Sequence, residues 1–241
     1  MWPFKSVDKL SESGMFQGFT DWHSHILPGV DDGIKTMDES LTTLKAFEHQ
    51  GIKKVWLTPH IMEDVPNTTD FLRSRFKDLQ EAYDGPIELR LASENMLDSL
   101  FEDRLQEQDF LPIGDKGDHL LVETSYVNQP YGMETMIDGV FSLGLTPILA
   151  HPERYRYMDE EDYKKWKDKG LVFQCNFVSL TGGYGQTAQR KMEWLLKEGM
   201  VDITGSDVHR EFVFRHTIEK SPRRMNSLKQ LCDVAHNPAI I

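Results

Sequence analysis

Gly144-Leu-Thr-Pro-Ile-Leu-Ala-His151 is the stretch whose reading decides the fold. A glycine just past a helix end supplies the left-handed conformation that closes the helix. The apolar run 146–150 that follows at once has the length and composition of a buried strand. A histidine and then Pro152-Glu153-Arg154 stand where that strand would end. Helix, glycine, strand and a chemically useful strand end thus lie in one short segment.

The same grammar recurs along the chain. Gly51 precedes the run 53–58, Gly170 precedes 171–176 and Gly199 precedes 201–205. Further strands are expected at 18–23, 87–92 and 119–123. Helices are expected after the capping box Thr36-Met-Asp-Glu39, at 68–84, 134–143, 159–169 and 215–232, and before Gly199, where Met192, Leu195 and Leu196 share a face. Residues 109–118 read as a loop. Alternation of this kind predicts a parallel sheet covered by helices. Seven to eight repeats in about 220 residues favour an α/β chain folded as a closed or nearly closed TIM-like barrel. A doubly wound nucleotide-binding sheet would carry a glycine-rich phosphate loop, and neither GxGxxG nor GxxxxGK[ST] is present.

Bulk properties remove several function classes. The 241 residues carry a formal net charge of −12, which argues against nucleic acid or an anionic membrane surface as partner. No apolar run is long enough to span a bilayer. Two distant cysteines, Cys175 and Cys232, make neither a disulfide framework nor a thiolate zinc site. A cytoplasmic protein is expected. Residues 1–17 read as an N-terminal extension whose Trp2, Phe4 and Phe16 pack on the barrel or on a partner, and 18–241 as one domain.

In a β/α barrel the reactive groups gather at the C-terminal strand ends. Six of the seven expected ends carry His, Asp or Glu. They are His23 and His25 with Asp32 in the following loop, then His60, Glu94, Glu123, His151, and Asp207 with His209. A lone strand-end histidine is ordinarily a hydrogen-bonded structural residue; six such ends together are not explained that way. Nine nitrogen and oxygen donors without thiolate exceed what one ion takes and suit two or three ions of manganese, iron or zinc. Such clusters activate water and clamp phosphoryl oxygens, so hydrolysis of a phosphate ester is the chemistry to expect. Arg154 and Arg215 are the candidate phosphate-holding arginines. The route of cysteine-dependent tyrosine phosphatases is excluded by its motif. It needs Arg six positions after Cys, and Thr181 and Pro238 stand there.

The combined pattern resembles the polymerase and histidinol phosphatase (PHP) superfamily. It consists of Asp21-x-His23-x-His25-Ile-Leu-Pro-Gly-Val-Asp-Asp32-Gly, Thr58-Pro-His60, Glu94, Glu123, His151-Pro-Glu-Arg154-Tyr and Ser206-Asp207-x-His209. Within it the chain is most similar to the bacterial metal-dependent tyrosine phosphatases of capsule and exopolysaccharide operons. The resemblance runs from about residue 19 to Asn237-Pro238. It implies a distorted barrel and a trinuclear centre, usually manganese. His23, His25, Glu94 and Asp207 would surround one metal. Glu94 would bridge to a second, held also by Glu123 and His151, and Asp32, His60 and His209 would hold the third. Arg154 matches a phosphate-binding arginine of the family. The second is matched by Arg215, with Arg210 as the fallback. Asp21 is expected either to orient a ligand histidine or to cap the strand end.

The implied reaction is attack of a metal-activated hydroxide on phosphotyrosine, with a cytoplasmic bacterial tyrosine kinase as the implied substrate. Tyr126, Pro130 and Tyr131 are candidates for lining the cleft or packing the loop. A histidinol-phosphate phosphatase of the same superfamily is the alternative. The loop Ile26-Leu-Pro-Gly-Val-Asp-Asp-Gly33 weighs against it by resemblance.

Overall fold

The structure is a computed structural model and describes residues 8–240. It has nine strands and nine helices among the described residues. The strands are β1 (Thr20–Asp21), β2 (Lys54–Leu57), β3 (His60–Ile61), β4 (Glu88–Leu91), β5 (Glu94–Met96), β6 (His119–Glu123), β7 (Thr146–Ala150), β8 (Val172–Asn176) and β9 (Ile203–Gly205). The helices are α1 (Met37–Gln50), α2 (Thr69–Ala82), α3 (Ser99–Glu107), α4 (Met133–Ser142), α5 (Glu160–Asp168), α6 (Phe177–Leu180), α7 (Gly185–Lys197), α8 (Glu211–Ile218) and α9 (Met225–His236). All strand pairs are parallel, as the α/β alternation predicts. They form a three-stranded sheet, β1-β2-β4, and a six-stranded sheet, β3-β5-β6-β7-β8-β9.

Two expected strands are each followed, after a break, by a short further strand. The run 53–58 forms β2, and β3 begins only at His60, because Pro59 has no N–H to continue a ladder. The run 87–92 forms β4, which stops at Leu91, and β5 begins at Glu94. Backbone bonds bridge the breaks: Thr58 N donates to Ser24 O at 2.8 Å and Ala92 N to Leu57 O at 2.9 Å. Beyond β1 and β9 the chain is again paired. Asp207 N donates to His23 O at 2.8 Å and His25 N to Val208 O at 3.1 Å. These bonds hold together the segments that follow the first and last strands and carry His23, His25 and Asp207.

The helix ends follow local chemistry. Thr36 and Glu39 form the capping box of α1, and Gly51 closes it with φ 90°. The expected helix 215–232 is two helices, α8 and α9. Pro222 lies between them and cannot continue a helical ladder. Helix α3 was not anticipated. Asp98 caps it by accepting from Phe101 N at 3.0 Å.

Alternate residues of the strands enter two separate cores, the period-two consequence of the pleat. Val55, Leu57, Leu120, Val122, Leu149 and Phe173 pack against the helices. Trp22, Trp56, Leu121, Ile148 and Ile203 pack with one another on the opposite face. There the Trp22 and Trp56 rings stack with centroids 6.2 Å apart. Residues 8–17 join the helix-side core: Leu10, Met15 and Phe16 are buried, and Phe16 packs edge-on against Phe177 and Phe214. Trp2 and Phe4 lie outside the described residues. No helix among those described is long and apolar enough to cross a membrane.

Candidate metal centre

Parallel strands present all their C-terminal ends on one side, and the nine candidate ligands converge there. Register does part of the placement. His60 of β3 is the partner of Glu94 on β5, and Met96 of β5 is the partner of Glu123 on β6. His23 and His25 lie just past β1, outside regular strand, yet their rings still meet. His151 and Asp207 follow β7 and β9 with φ of 32° and 50°. Two non-glycine residues in the left-handed region mark backbone strain held by the surroundings.

Glu94 is at the centre and fully buried. Its Oε2 is 3.1 Å from His23 Nε2, 3.3 Å from His25 Nε2 and 3.1 Å from His60 Nδ1, and its Oε1 is 2.9 Å from His151 Nε2. Glu123 Oε1 lies 2.9 Å from His60 Nδ1. Asp207 Oδ1 lies 3.4 Å from His25 Nε2. At the mouth, the exposed Asp32 is 3.1 Å from His209 Nε2 and 3.5 Å from His60 Nε2. Four groups of potential ligand atoms result: His23, His25 and Asp207; His23, Glu94 and His151; His60, Glu94 and Glu123; and His25, Asp32, His60 and His209. This differs from the division implied by resemblance in three respects. His60 stands with Glu94 and Glu123 as well as with Asp32, His25 joins the Asp32 group, and His151 stands with His23 and Glu94 apart from Glu123.

Hydrogen bonding fixes which ring nitrogens are bare. Asp207 Oδ2 can only accept, so Asn176 Nδ2, 2.8 Å away, donates to it. Asn176 Oδ1 must then accept from Gln174 Nε2 at 2.8 Å. Gln174 Oε1 in turn accepts from His23 Nδ1 at 2.8 Å. Asp31 accepts from His25 Nδ1 at 2.8 Å, and the Asp207 carbonyl accepts from His209 Nδ1 at 3.0 Å. In a neutral imidazole the other nitrogen is then an acceptor. The bare Nε2 atoms of His23 and His25 face each other at 3.1 Å and face carboxylates. Glu94 Oε2, Glu123 Oε1 and His60 Nδ1 have no hydrogen-bond partner although buried. Lone pairs converging in this way fit a cation at their centre.

The electrostatics make the same demand. Burial alone would lower the His23 and His60 pKa values, yet the Glu94 carboxylate, helped by Asp207 at His23 and Glu123 at His60, carries them up to about 9 and about 12. Burial alone would raise Asp207, but the charges of His23, His209 and Arg154 hold it below the ordinary carboxylate range. A hydrogen bond from His209 in its protonated form holds Asp32 low. Without a metal the cluster draws protons onto its imidazoles; a divalent ion supplies that positive charge in their place.

Above the cluster is a cleft of about 460 Å³, bounded by Asp32, His60, Tyr126, Arg154, Arg210 and Val213 among others. Arg154 donates to Asp207 Oδ2 at 2.7 Å. Its guanidinium is held between the rings of Tyr126 and Tyr184, 4.2 and 4.1 Å from their centroids. Arg215 is not at the cleft. On α8 its side chain pairs with Glu211 one turn earlier and is 58% exposed. Arg210, which caps α8, lines the cleft and donates to the carbonyls of Asp32 and Gly33 at 2.8 and 2.6 Å. Asp21 caps the strand end and touches no imidazole; its Oδ1 accepts from Ser206 N at 2.8 Å and His23 N at 3.3 Å. Of the loop candidates, Tyr126 lines the cleft.

Residues without a place among the expected site residues orient the candidate ligands. They are Asp31, Gln174, Asn176 and Tyr184, whose hydroxyl donates to Asp207 Oδ2 at 2.8 Å. One signal was available. Gln174 and Asn176 are polar residues two apart in an otherwise apolar strand, and so share a face.

A family model described as capsular polysaccharide synthesis, CpsB/CapC, matches residues 19–230. The chain belongs to the CpsB/CapC family. It is 28% identical over 208 residues to the tyrosine-protein phosphatase CpsB of Streptococcus agalactiae, covering 78% of this chain and 82% of that protein. It is 27% identical over 195 residues to the tyrosine-protein phosphatase YwqE of Bacillus subtilis, covering 78% and 76%. A solved structure from work on YwqE and on CpsB of Streptococcus pneumoniae, described as unique metal-dependent tyrosine phosphatases, superposes with a TM-score of 0.74. That match is 23% identical and covers 92% of this chain and 96% of that one. A lactonase from Listeria monocytogenes shares the fold at a TM-score of 0.56 and 13% identity, with 94% of both chains covered. Membership places the chain in a capsular polysaccharide synthesis family.

Proposed function

We propose that this member of the CpsB/CapC family is a metal-dependent protein-tyrosine phosphatase, a phosphoric monoester hydrolase with a trinuclear centre. The observation that carries the reading is the set of nine converging donors, with bare imidazole nitrogens and unpaired carboxylate oxygens, beneath Arg154. The tyrosine-phosphatase relatives support the substrate class. When bound, the ions activate water and neutralise phosphoryl charge.

The protein side of the reaction follows from the cleft. Arg154 is held by Asp207 through one nitrogen and flattened between two aromatic rings. Its remaining N–H groups are available to two oxygens of a phosphate in a fixed plane. The rings and Asp207 hold it there before substrate arrives, which is the preorganisation that transition-state stabilisation needs. Arg210 is the second phosphate-facing arginine in this reading, in place of Arg215. The leaving phenolate has a pKa of about 10, so expulsion needs only modest proton assistance.

Manganese is the proposed metal, from resemblance; the nitrogen and oxygen donor set also accepts iron or zinc. The two sheets are read as one distorted barrel of seven staves, two of them broken at 58–59 and 92–93. The bonds from His23 and His25 to Asp207 and Val208, and the strand-only core around Trp22 and Trp56, support that reading. Residues 18–241 are read as its single domain. The proposed setting is the cytoplasm, with a tyrosine kinase of capsule or exopolysaccharide synthesis as substrate.

The test is turnover, with manganese, of a phosphotyrosyl peptide and of histidinol phosphate, each with and without a chelator. The peptide is expected to be preferred and chelation to abolish the rate. Equal or faster turnover of histidinol phosphate would overturn the tyrosine reading, and activity that survives chelation would overturn the metal reading.

A further inference from the structure

Six large hydrophobic side chains are exposed among the described residues, and five stand on the two segments that border the cleft. Tyr126, Val127 and Tyr131 belong to the loop between β6 and α4. Phe212 and Val213 belong to the first turn of α8. Tyr126 and Val213 line the cleft itself. Val127 is 55% exposed, Phe212 is 68% exposed and Tyr131 is fully exposed. The loop Thr124-Ser-Tyr-Val-Asn-Gln-Pro-Tyr-Gly132 carries no charged residue, in a chain that is 27% charged. Exposed apolar side chains scattered singly need no explanation, whereas apolar side chains gathered on a site's rim mark an interaction surface.

The spacing of the two lips selects the occupant. In the sheet, β6 and β9 are separated by β7 and β8, so their ends lie roughly 14 Å apart along the sheet. A small phosphate monoester that fits the cleft does not reach beyond both lips. An extended polypeptide spans that distance in about four to five residues.

We propose that Val127 and Tyr131 on one lip and Phe212 on the other form an apolar docking rim. Its occupant is an extended, phosphotyrosine-bearing polypeptide with apolar residues beside the tyrosine, uncharged above all on the side that lies over the loop 124–132, since Arg210 and Glu211 precede Phe212 on the other lip. The phosphotyrosine ring enters between Tyr126 and Val213, which brings its phosphate to Arg154. Apolar neighbours of the tyrosine cover the exposed side chains, and the uncharged loop leaves acidic or basic neighbours without a counter-charge on that lip. The proposal rests on the phosphatase reading and adds to it which tyrosines are chosen.

Three probes are compared on the manganese-loaded enzyme: a phosphotyrosyl peptide with Leu and Val flanks, the same peptide with Glu and Lys flanks, and p-nitrophenyl phosphate. The native chain is expected to prefer the apolar peptide about ten-fold in kcat/KM, chiefly through KM. Phe212→Ser and Tyr131→Ser are expected to lose most of that preference, the loss typical of an anchor side chain, while turnover of p-nitrophenyl phosphate stays within two-fold. Equal use of both peptides by the native chain, or a preference that survives both substitutions, would overturn the rim. Self-association that Phe212→Ser abolishes, with peptide preference unchanged, would assign the surface to a second copy of the chain and likewise overturn it. Hydrolysis of p-nitrophenyl phosphate with neither peptide used would overturn the protein-substrate reading as well, which separates the two failures.

Discussion

Gln174 Oε1 accepts the Nδ1 proton of His23 at 2.8 Å, and that one bond decides which nitrogen of His23 faces the cluster. Asp31 does the same for His25. Groups that orient ligand histidines ordinarily matter to metal affinity by 10- to 100-fold. Gln174→Leu is therefore expected to weaken metal binding by about that factor, read by calorimetric titration of the metal-free protein. An unchanged dissociation constant would remove Gln174 from this role.

Arg154 and Arg215 separate cleanly in the structure, and kinetics should separate them too. Arg154→Lys loses the planar fork and the stacking between Tyr126 and Tyr184. It is expected to lower kcat/KM on phosphotyrosyl peptide by about 100-fold, the scale of losing one transition-state donor. Arg215→Ala breaks only an exposed pair with Glu211 and is expected to leave kcat/KM within two-fold. A large loss in Arg215→Ala alone would return the phosphate-holding role to α8.

Metal removal should lower stability, because the buried donors then face one another unshielded. A ligand bound only by the native state at 100 times its dissociation constant adds about 2.7 kcal/mol. In a chain of this size that corresponds to a rise in Tm on the order of 5–10 °C. Calorimetry with chelator and with excess manganese measures it. Coincident transitions would argue against a native cluster that needs a cation.

Gly205 ends β9 where the backbone passes beside the first ligand. A Cβ there would stand 2.7 Å from both the Cβ and the backbone nitrogen of His23. Gly205→Ala is expected to destabilise the fold by about 1–3 kcal/mol, as overpacking does. It should also weaken metal binding, since His23 has to move. Urea unfolding and a metal titration test both parts; a variant as stable as the native chain would show that the strands part there without cost.

Much of this site was legible because its chemistry sits at strand ends. Glycine-closed helices followed by apolar runs located β2, β7, β8 and β9. The residue types just beyond each run supplied His60, His151, Asp207 and His209. The short strands β3 and β5 were less visible, although Pro59 marks the break before one of them. Between α8 and α9 the signal was Pro222, and it was read through. The choice between Arg210 and Arg215 turns on where α8 starts. Residue 210 caps the helix and faces the cleft, while 215 lies a turn further on toward Glu211. A start four residues earlier than expected changes which arginine reaches the cleft.

By itself the sequence determined the alternating α/β order and the nine candidate donor residues, because both are written in local patterns of apolarity and residue type. Only the tertiary structure decided how those donors are grouped, that His60 stands in two groups at once, and which nitrogen of His23, His25 and His209 is bare. Those outcomes depend on partners such as Gln174 and His23, 151 residues apart along the chain. Their encounter is set by strand register and packing, which no local pattern encodes.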